Sequence, residues 1–456
     1  MASSGGELKL APAADGRRHS SRASSRYIKG TSIAKPPNTS GSGVMAMLQH
    51  PLNVLLVCFP IGIASSIFHW SDTSTFWLNF VSLVPLAKIL GDATEELAAG
   101  LKNDMLAGLL NATFGNAVEM VIMVQTLRAG LIDVVKATLL GSVLSNLLLV
   151  LGMSFFMGGI ISQSKKSPTL KKTMTAGQLH KSVTASSSLE AAAPEEEEAT
   201  YTEFVGEKVQ TFSVMTALVN TSMLLLSCLS FSLVTVFYAE THVDGKSPLE
   251  DVLLPVSRIC SIIIMCAYGA YIFFQLVTHR EAMNEDDGDG EEAEEALISI
   301  PVAVAIMFCT TFVVAFCSEL LVSSLEGVVE SAGISEHFIG IILLPIVGNA
   351  CEHASAIRFA VMDKPGLSIG IAVGSSTQIS LFVVPFSVIA GWIIKQDMDL
   401  NFGELNTTVM SISVIVVLSV VVDGTANWLQ GYLLMSAYFV IGVLYWHLPN
   451  KVKVEI

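Results

Sequence analysis

Eleven predominantly apolar stretches run through this chain, at 51–70, 75–91, 104–127, 131–160, 211–239, 252–277, 297–322, 334–362, 367–394, 404–422 and 426–447. As helices, runs of about 20 such residues cross a hydrocarbon layer about 30 Å thick, so the pattern predicts an all-α polytopic membrane protein with 11 transmembrane helices. The longest stretches must tilt, kink or project beyond the bilayer. Only 14% of the residues are charged, against about 25% in an ordinary soluble domain, and the mean hydropathy is +0.61. Those values rule out a disordered chain and argue against a cytosolic enzyme.

The net charge of -15 is concentrated in two places. Eight acids lie within Glu285 to Glu295 and four within Glu195 to Glu198; without those twelve, 28 of the 40 acids remain against 25 bases. The seven cysteines all fall in apolar runs with no paired spacing, which excludes a disulfide framework or a cysteine zinc site and leaves them as packing residues.

Residues 1–46 are Ser-rich and basic, with seven Lys or Arg against Glu7 and Asp15, and hold no apolar run. They read as a disordered cytosolic tail and not a cleaved signal, with an organelle transit peptide as the alternative. The segment 162–208 carries Lys165, Lys166, Lys171, Lys172 and Lys181; by the positive-inside rule it joins the N-terminus in the cytosol, four spans later. It is expected to be a disordered insertion. The same count places 281–296 in the cytosol and the C-terminal 448–456 in the lumen.

The sequence also repeats itself. GNAVE at Gly115 to Glu119 recurs as GNACE at Gly348 to Glu352, and GSVLS at Gly141 to Ser145 recurs as GSSTQ at Gly374 to Gln378, and the spacing from Gly115 to Gly348 equals that from Gly141 to Gly374. Two matches in one register pair the third span with the eighth and the fourth with the ninth. An offset of five crossings inverts the second copy, the arrangement in which many secondary transporters bind ions near the bilayer midplane. The expected layout is therefore one extra N-terminal helix at 51–70 and two inverted five-helix repeats, 75–277 and 297–447.

On a continuous helix, Asn116 and Glu119 would share a face with Gly115, and Asn349 and Glu352 would repeat that with Gly348. An ionised carboxylate at membrane depth costs at least about 2.5–3.5 kcal/mol, so Glu119 and Glu352 must meet positive charge. Arg128 and Arg358 stand toward span ends, where they can snorkel, and a cation or protons are the better partners. Carboxylate and amide oxygens suit hard ions such as calcium, and the lack of a sulfur or imidazole cluster argues against copper or zinc. Loaded with calcium, or with protons, the carboxylate pair is neutral and can be enclosed; bare, it cannot. That is the logic of an exchanger, with no cofactor and with calcium and protons as cargo. His353, Ser142, Ser145, Ser375 and Gln378 are further candidates for the ion's shell, or else packing and interhelical hydrogen-bonding residues. Glu95 and Glu96, just outside the second span, read as a solvated pair at a helix end, with a gate as the alternative.

The segments LLNATFGNAVEM at Leu109 to Met120, LLGSVLSNLLLVLG at Leu139 to Gly152 and PIVGNACEHASA at Pro345 to Ala356 resemble the calcium/proton exchanger (CAX) family of the calcium/cation antiporter superfamily, over about residues 51 to 450. The resemblance implies that Asn116, Glu119, Asn349 and Glu352 form the transport site, and His353 fits the eukaryotic form of the second motif. It also implies a vacuolar or similar acidic-organelle membrane, an N-terminus able to inhibit transport, and a cytosolic acidic segment. Glu285, Asp286, Asp287, Asp289, Glu291, Glu292, Glu294 and Glu295 stand where that segment belongs.

Other motifs fail. The acidic run has Ala296 where an EF-hand needs its bidentate Glu. Gly245-Lys246-Ser247 resembles a P-loop, but Glu240 stands where the first Gly should be. Asp363-Lys364-Pro365-Gly366 resembles the phosphorylated segment of an ion pump, without a soluble domain to bind ATP. No HExxH occurs. The rival functions are sodium/calcium exchange, a calcium channel with an acidic filter, and a non-transporting scaffold. Ion preference and oligomeric state, including a homo-oligomer, stay open.

Overall fold

The computed structural model describes residues 40–101, 106, 110, 113–161, 209–241, 252–279 and 296–449. Residues 1–39, the insertion 162–208, the acidic run Glu285 to Glu295 and residues 450–456 lie outside the described residues.

The described chain is almost entirely helical, as it must be where hydrocarbon offers the backbone no partners. Among the described residues, eight helices are long and apolar enough to cross a membrane, and up to ten spans result if each of two bent helix pairs is one span. The expected basic tail gives way to helix earlier than 46. Helix α1 (Ser40–Leu48) carries the apolar run Val44 to Leu48, with Met47 buried, and turns by 76° into the segment that contains α2 (Cys58–Ile67).

Helix α3 (Asp72–Gly100) follows, capped by the Ser71 side chain, which accepts the Ser74 N–H. After it come α4 (Ala117–Arg128), α5 (Ile132–Ile161), α6 (Val214–Thr241) and α7 (Leu254–Thr278). The rest of the chain gives α8 (Ile300–Ser323), the short α9 (Leu325–Ala332), α10 (Glu336–Gly348), α11 (Ala350–Val361), α12 (Pro365–Ile394), α13 (Glu404–Val421) and α14 (Trp428–Trp446). A two-residue ladder joins β1 (Gln210–Thr211) to β2 (Thr425–Ala426), with Gln210 opposite Ala426.

The helices that the repeated motifs pair correspond closely. α4 and α11 are twelve residues each, α5 and α12 thirty each, and a π-helical turn interrupts both long helices, at Ser145–Val150 and Ile379–Val383. The packing corresponds as well: α14 lies on the second half of α5 and α7 on the second half of α12, while α8 packs on α4 and α3 on α11.

Two close approaches lock the halves together. The Gly141 Cα on α5 abuts the Ile341 backbone on α10, and Gly340 abuts Ala137. Small residues are what allow membrane helices to pack backbone to backbone.

One buried charge lies in a motif span that the apolar pattern does not mark. Lys136 on α5 is 9% exposed and Asp399, in the turn after α12, 5%. The Lys136 Nζ donates to Asp399 Oδ1 at 2.8 Å and to the Asn401 carbonyl at 2.9 Å. Around this pair the turn buries Met398, Leu400 and Phe402, the Leu400 N–H donates to Ser257 Oγ, and Phe402 packs on Phe231. The bundle is thus sealed at the end where α5 begins. Because Lys136 already has its carboxylate, it is not the counter-charge for Glu119 or Glu352.

Candidate cation site

The two repeated motifs do not lie on continuous helices, contrary to the expectation that Gly115, Asn116 and Glu119 share a helical face. Gly115 and Asn116 form a turn, and α4 starts at Ala117 with Asn116 as its N-cap at φ -103°. The second motif does the same: α10 ends at Gly348, Asn349 caps α11 at φ -84°, and the two helices meet at 60°. Each Glu therefore sits in the first turn of a helix that begins inside the bundle. There the unpaired N–H groups and the positive end of the helix dipole favour negative charge, and discontinuous helices of this kind are where transporters hold their ions.

Glu119 is 3% exposed and neither of its carboxylate oxygens has a hydrogen-bond partner. It lies against Gly348 of the other motif, where an added Cβ would stand 2.9 Å from Oε1. Glu352 is within electrostatic reach of Glu119 and Glu95, and its Oε2 is also buried and unpartnered. The structure thus places the two repeated carboxylates within electrostatic reach of each other, Glu119 buried and Glu352 half-buried.

The amides around them divide into held and free oxygens. Asn349, fully buried, donates its Nδ2 to the Ser142 carbonyl at 3.2 Å and leaves Oδ1 unpartnered. Asn116 uses both ends: Nδ2 donates to Gln378 Oε1 at 2.5 Å and Oδ1 accepts from Ser375 Oγ at 3.1 Å. Ser375 in turn accepts from Asn146 Nδ2 at 3.0 Å, which leaves Asn146 Oδ1 free. Ser375 and Gln378 accordingly act on Asn116 across the helix interface. The hydroxyls of Ser142 and Ser145 are buried and unpartnered. His353 has Nδ1 2.8 Å from the Asn349 carbonyl and Nε2 without a partner.

Buried polar atoms are nearly always satisfied in folded proteins, so the unpartnered oxygens on Glu119, Glu352, Asn349, Asn146, Ser142 and Ser145 mark this region as a candidate site. A hard cation, bound by several oxygens, would satisfy them. Among the described residues no group of three His, Cys, Asp or Glu could hold a metal, so a cation here would draw on the two carboxylates and on neutral oxygens.

A cavity of about 350 Å³ adjoins the pair, lined by Asn116 and Glu352, the last third of α3 and α7 and the first half of α12. It lies toward the end of the bundle opposite the Lys136–Asp399 seal. Glu95 lines it, and Glu96 accepts the N–H groups of Leu297 and Ile298 at 2.7 and 3.1 Å. Glu95 is exposed, as expected of a solvated helix-end residue, whereas Glu96 is half-buried and tethers the start of α8.

The Gly348 contact gives a direct prediction. Gly348→Ala forces the Glu119 carboxylate aside by some tenths of an ångström while meeting only the end of a side chain. Transport by the folded variant is expected to fall about tenfold to a hundredfold, the usual effect of misplacing a reacting group. Wild-type transport would show that Glu119 does not need this contact.

A helical membrane bundle with two broken helices meeting at paired carboxylates defines an ion transport protein. More particularly, the sodium/calcium exchanger protein family matches residues 72–277 and 302–446, and the chain belongs to it, among its cation/proton exchangers. Vacuolar cation/proton exchanger 3 of Oryza sativa subsp. japonica is 39% identical over 402 residues, covering 86% of this chain and 84% of the relative. The Ca2+/H+ antiporter of Aphanothece halophytica is 35% identical over 407 residues, covering 87% and 96%. Of solved structures, the selenium-substituted Ca2+/H+ antiporter protein YfkE aligns with a TM-score of 0.65 and 31% identity, covering 87% of this chain and 99% of that one.

Proposed function

We propose that this chain is a secondary antiporter that moves calcium out of the cytosol in exchange for protons, through a site formed by Asn116, Glu119, Asn349 and Glu352. One observation carries this most: two carboxylates, one from each copy of the repeated motif and within electrostatic reach of each other, Glu119 buried and Glu352 half-buried, keep three buried oxygens that no donor satisfies. The pair can be enclosed only with its charge cancelled. A divalent cation or protons cancel it alternately, which couples the two fluxes. The Ca2+/H+ antiporter of Aphanothece halophytica is named for the same pair of ions, and the rice relative for exchange of a cation and protons.

The layout we propose is eleven spans, one extra at the start and then two inverted repeats of five. Corresponding helix lengths and exchanged packing partners support it. With the N-terminus in the cytosol, the cavity beside Glu352 opens to the cytosol and the Lys136–Asp399 seal faces the lumen, an inward-facing state of alternating access. An acidic organelle membrane such as the vacuole supplies the proton gradient.

Sodium is the competing driving ion, since the chain belongs to the sodium/calcium exchanger protein family. Purified protein in sealed vesicles decides between them: calcium uptake should follow an imposed proton gradient and ignore a sodium gradient. Uptake driven by sodium, or flux that persists when every gradient is collapsed, would overturn the proposal in favour of sodium exchange or a channel.

A further inference from the structure

Besides the carboxylate motifs, a second pair of short sequences repeats, near the starts of α6 and α13. Asn220-Thr221-Ser222 in one is matched by Asn406-Thr407-Thr408 in the other. Both threonines bond back to their own helices, Thr221 Oγ1 donating to the Ala217 carbonyl at 2.7 Å and Thr407 Oγ1 to the Gly403 carbonyl at 2.9 Å. Both asparagines do likewise with Nδ2, to the Thr216 carbonyl at 3.0 Å and the Phe402 carbonyl at 2.8 Å. Each is then left with an Oδ1 that needs a donor.

The next helix supplies that donor in both halves. The Tyr271 hydroxyl on α7 donates to Asn220 Oδ1 at 2.6 Å, and the Tyr445 hydroxyl on α14 donates to Asn406 Oδ1 at 2.6 Å. The last two helices of each half are therefore joined by the same bond. Unlike the unpartnered oxygens around Glu119 and Glu352, these amide oxygens are already satisfied, so they fasten helices where the others await an ion. A bond of this kind also sets the register of two membrane helices, which apolar side chains no more apolar than lipid do not.

The two joints stand in opposite surroundings. Asn220 and Tyr271 line the cavity beside Glu352. Asn406 and Tyr445 belong to the sealed end: Tyr445 is 0% exposed, its carbonyl accepts from Ser335 Oγ at the start of α10, and Phe402, whose carbonyl Asn406 holds, is buried in the turn around the Lys136–Asp399 pair. If the joints were gates, the one in the wall of the open cavity would be broken and the one at the sealed end made. Both are made. Alternating access in an inverted repeat exchanges the surroundings of the two halves, so each joint passes through both settings and is found intact in both.

We propose that Tyr271 and Tyr445 are matched positioning residues that keep α6 fastened to α7 and α13 fastened to α14 through the whole transport cycle, so that the cavity opens and closes against two fixed helix pairs. The inference rests on the exchange function and the inverted layout above, and adds to them two residues and the parts that do not move against each other.

Spin labels carried on unnatural amino acids test this in the purified protein, placed at the exposed residues Met215 on α6, Val277 on α7 and Ala99 on α3, another wall of the cavity. Between calcium-loaded protein and calcium-free protein at acidic pH, the Met215–Val277 distance is expected not to shift, while the Met215–Ala99 distance does. Tyr271→Phe removes only the hydroxyl; it should broaden the Met215–Val277 distribution and lower proton-driven calcium uptake per folded transporter about threefold, the size of one interhelical hydrogen bond in a membrane. Tyr445→Phe should lower uptake alike but leave the Met215–Val277 distribution as in wild type. A Met215–Val277 distance that shifts together with the cavity would overturn the proposal, and so would a Tyr271→Phe protein equal to wild type in both distribution and uptake. If Tyr271→Phe yields no folded protein, the wild-type distances decide. No shift in either distance, or no proton-driven uptake by wild type, would instead be the failure of the exchange function on which the proposal stands.

Discussion

Glu119→Gln and Glu352→Gln are each expected to reduce proton-driven calcium uptake to background while leaving the protein folded and as abundant as wild type. Glutamine has nearly the same shape but carries no negative charge and takes up no proton. One remaining carboxylate cannot neutralise a divalent cation, and the substituted position can no longer exchange a proton for it. Folding should not suffer, since both Glu119 oxygens lack partners in the fold and removing an unpaired buried charge relieves a desolvation cost. Thermal unfolding in detergent should give a midpoint at or above that of wild type. Robust coupled uptake by either variant would contradict the mechanism.

The largest stability effect is expected at the other end of the bundle. Asp399→Asn keeps the acceptor oxygen but strips Lys136 of its counter-charge, and breaking one partner of a buried ion pair costs about 3–5 kcal/mol. The pair qualifies as buried, with 11% and 7% of the two side chains exposed. Lys136 is left with neutral acceptors, the substituted amide oxygen and the Asn401 carbonyl. The thermal midpoint should fall clearly, and Lys136→Met combined with Asp399→Leu should recover most of the loss, because two apolar residues leave no charge stranded. A wild-type midpoint for Asp399→Asn would show that the turn at 396–403 does not close the bundle as described.

Much of this architecture was legible in the sequence because membrane helices announce themselves by length and apolarity. The constant offset between the repeated motifs further picked out α4 with α11 and α5 with α12, which the fold pairs in length and packing. What the pattern hid was where helices break. Gly115-Asn116 and Gly348-Asn349 sit within continuous apolar runs, so periodicity extended a helix through both, whereas the fold makes each Asn an N-cap. Asn146 escaped notice for a related reason: it lies within an apolar run, and the offset that flagged Ser145 pairs it with Ile379. Lys136 and Asp399 were hidden because their pairing is a matter of tertiary contact between a span and a turn 263 positions apart.

The proposition on which all of this depends is that one enclosed pair of acids takes either a divalent cation or protons, never both. Proton release on calcium addition to purified protein in weakly buffered detergent solution measures that directly. The account predicts that calcium displaces protons from the wild type at mildly acidic pH, up to two per ion bound, that release falls away as the solution is made alkaline, and that Glu119→Gln and Glu352→Gln release none. Calcium binding to wild type with no proton release at any pH, or undiminished release from both variants, would contradict it.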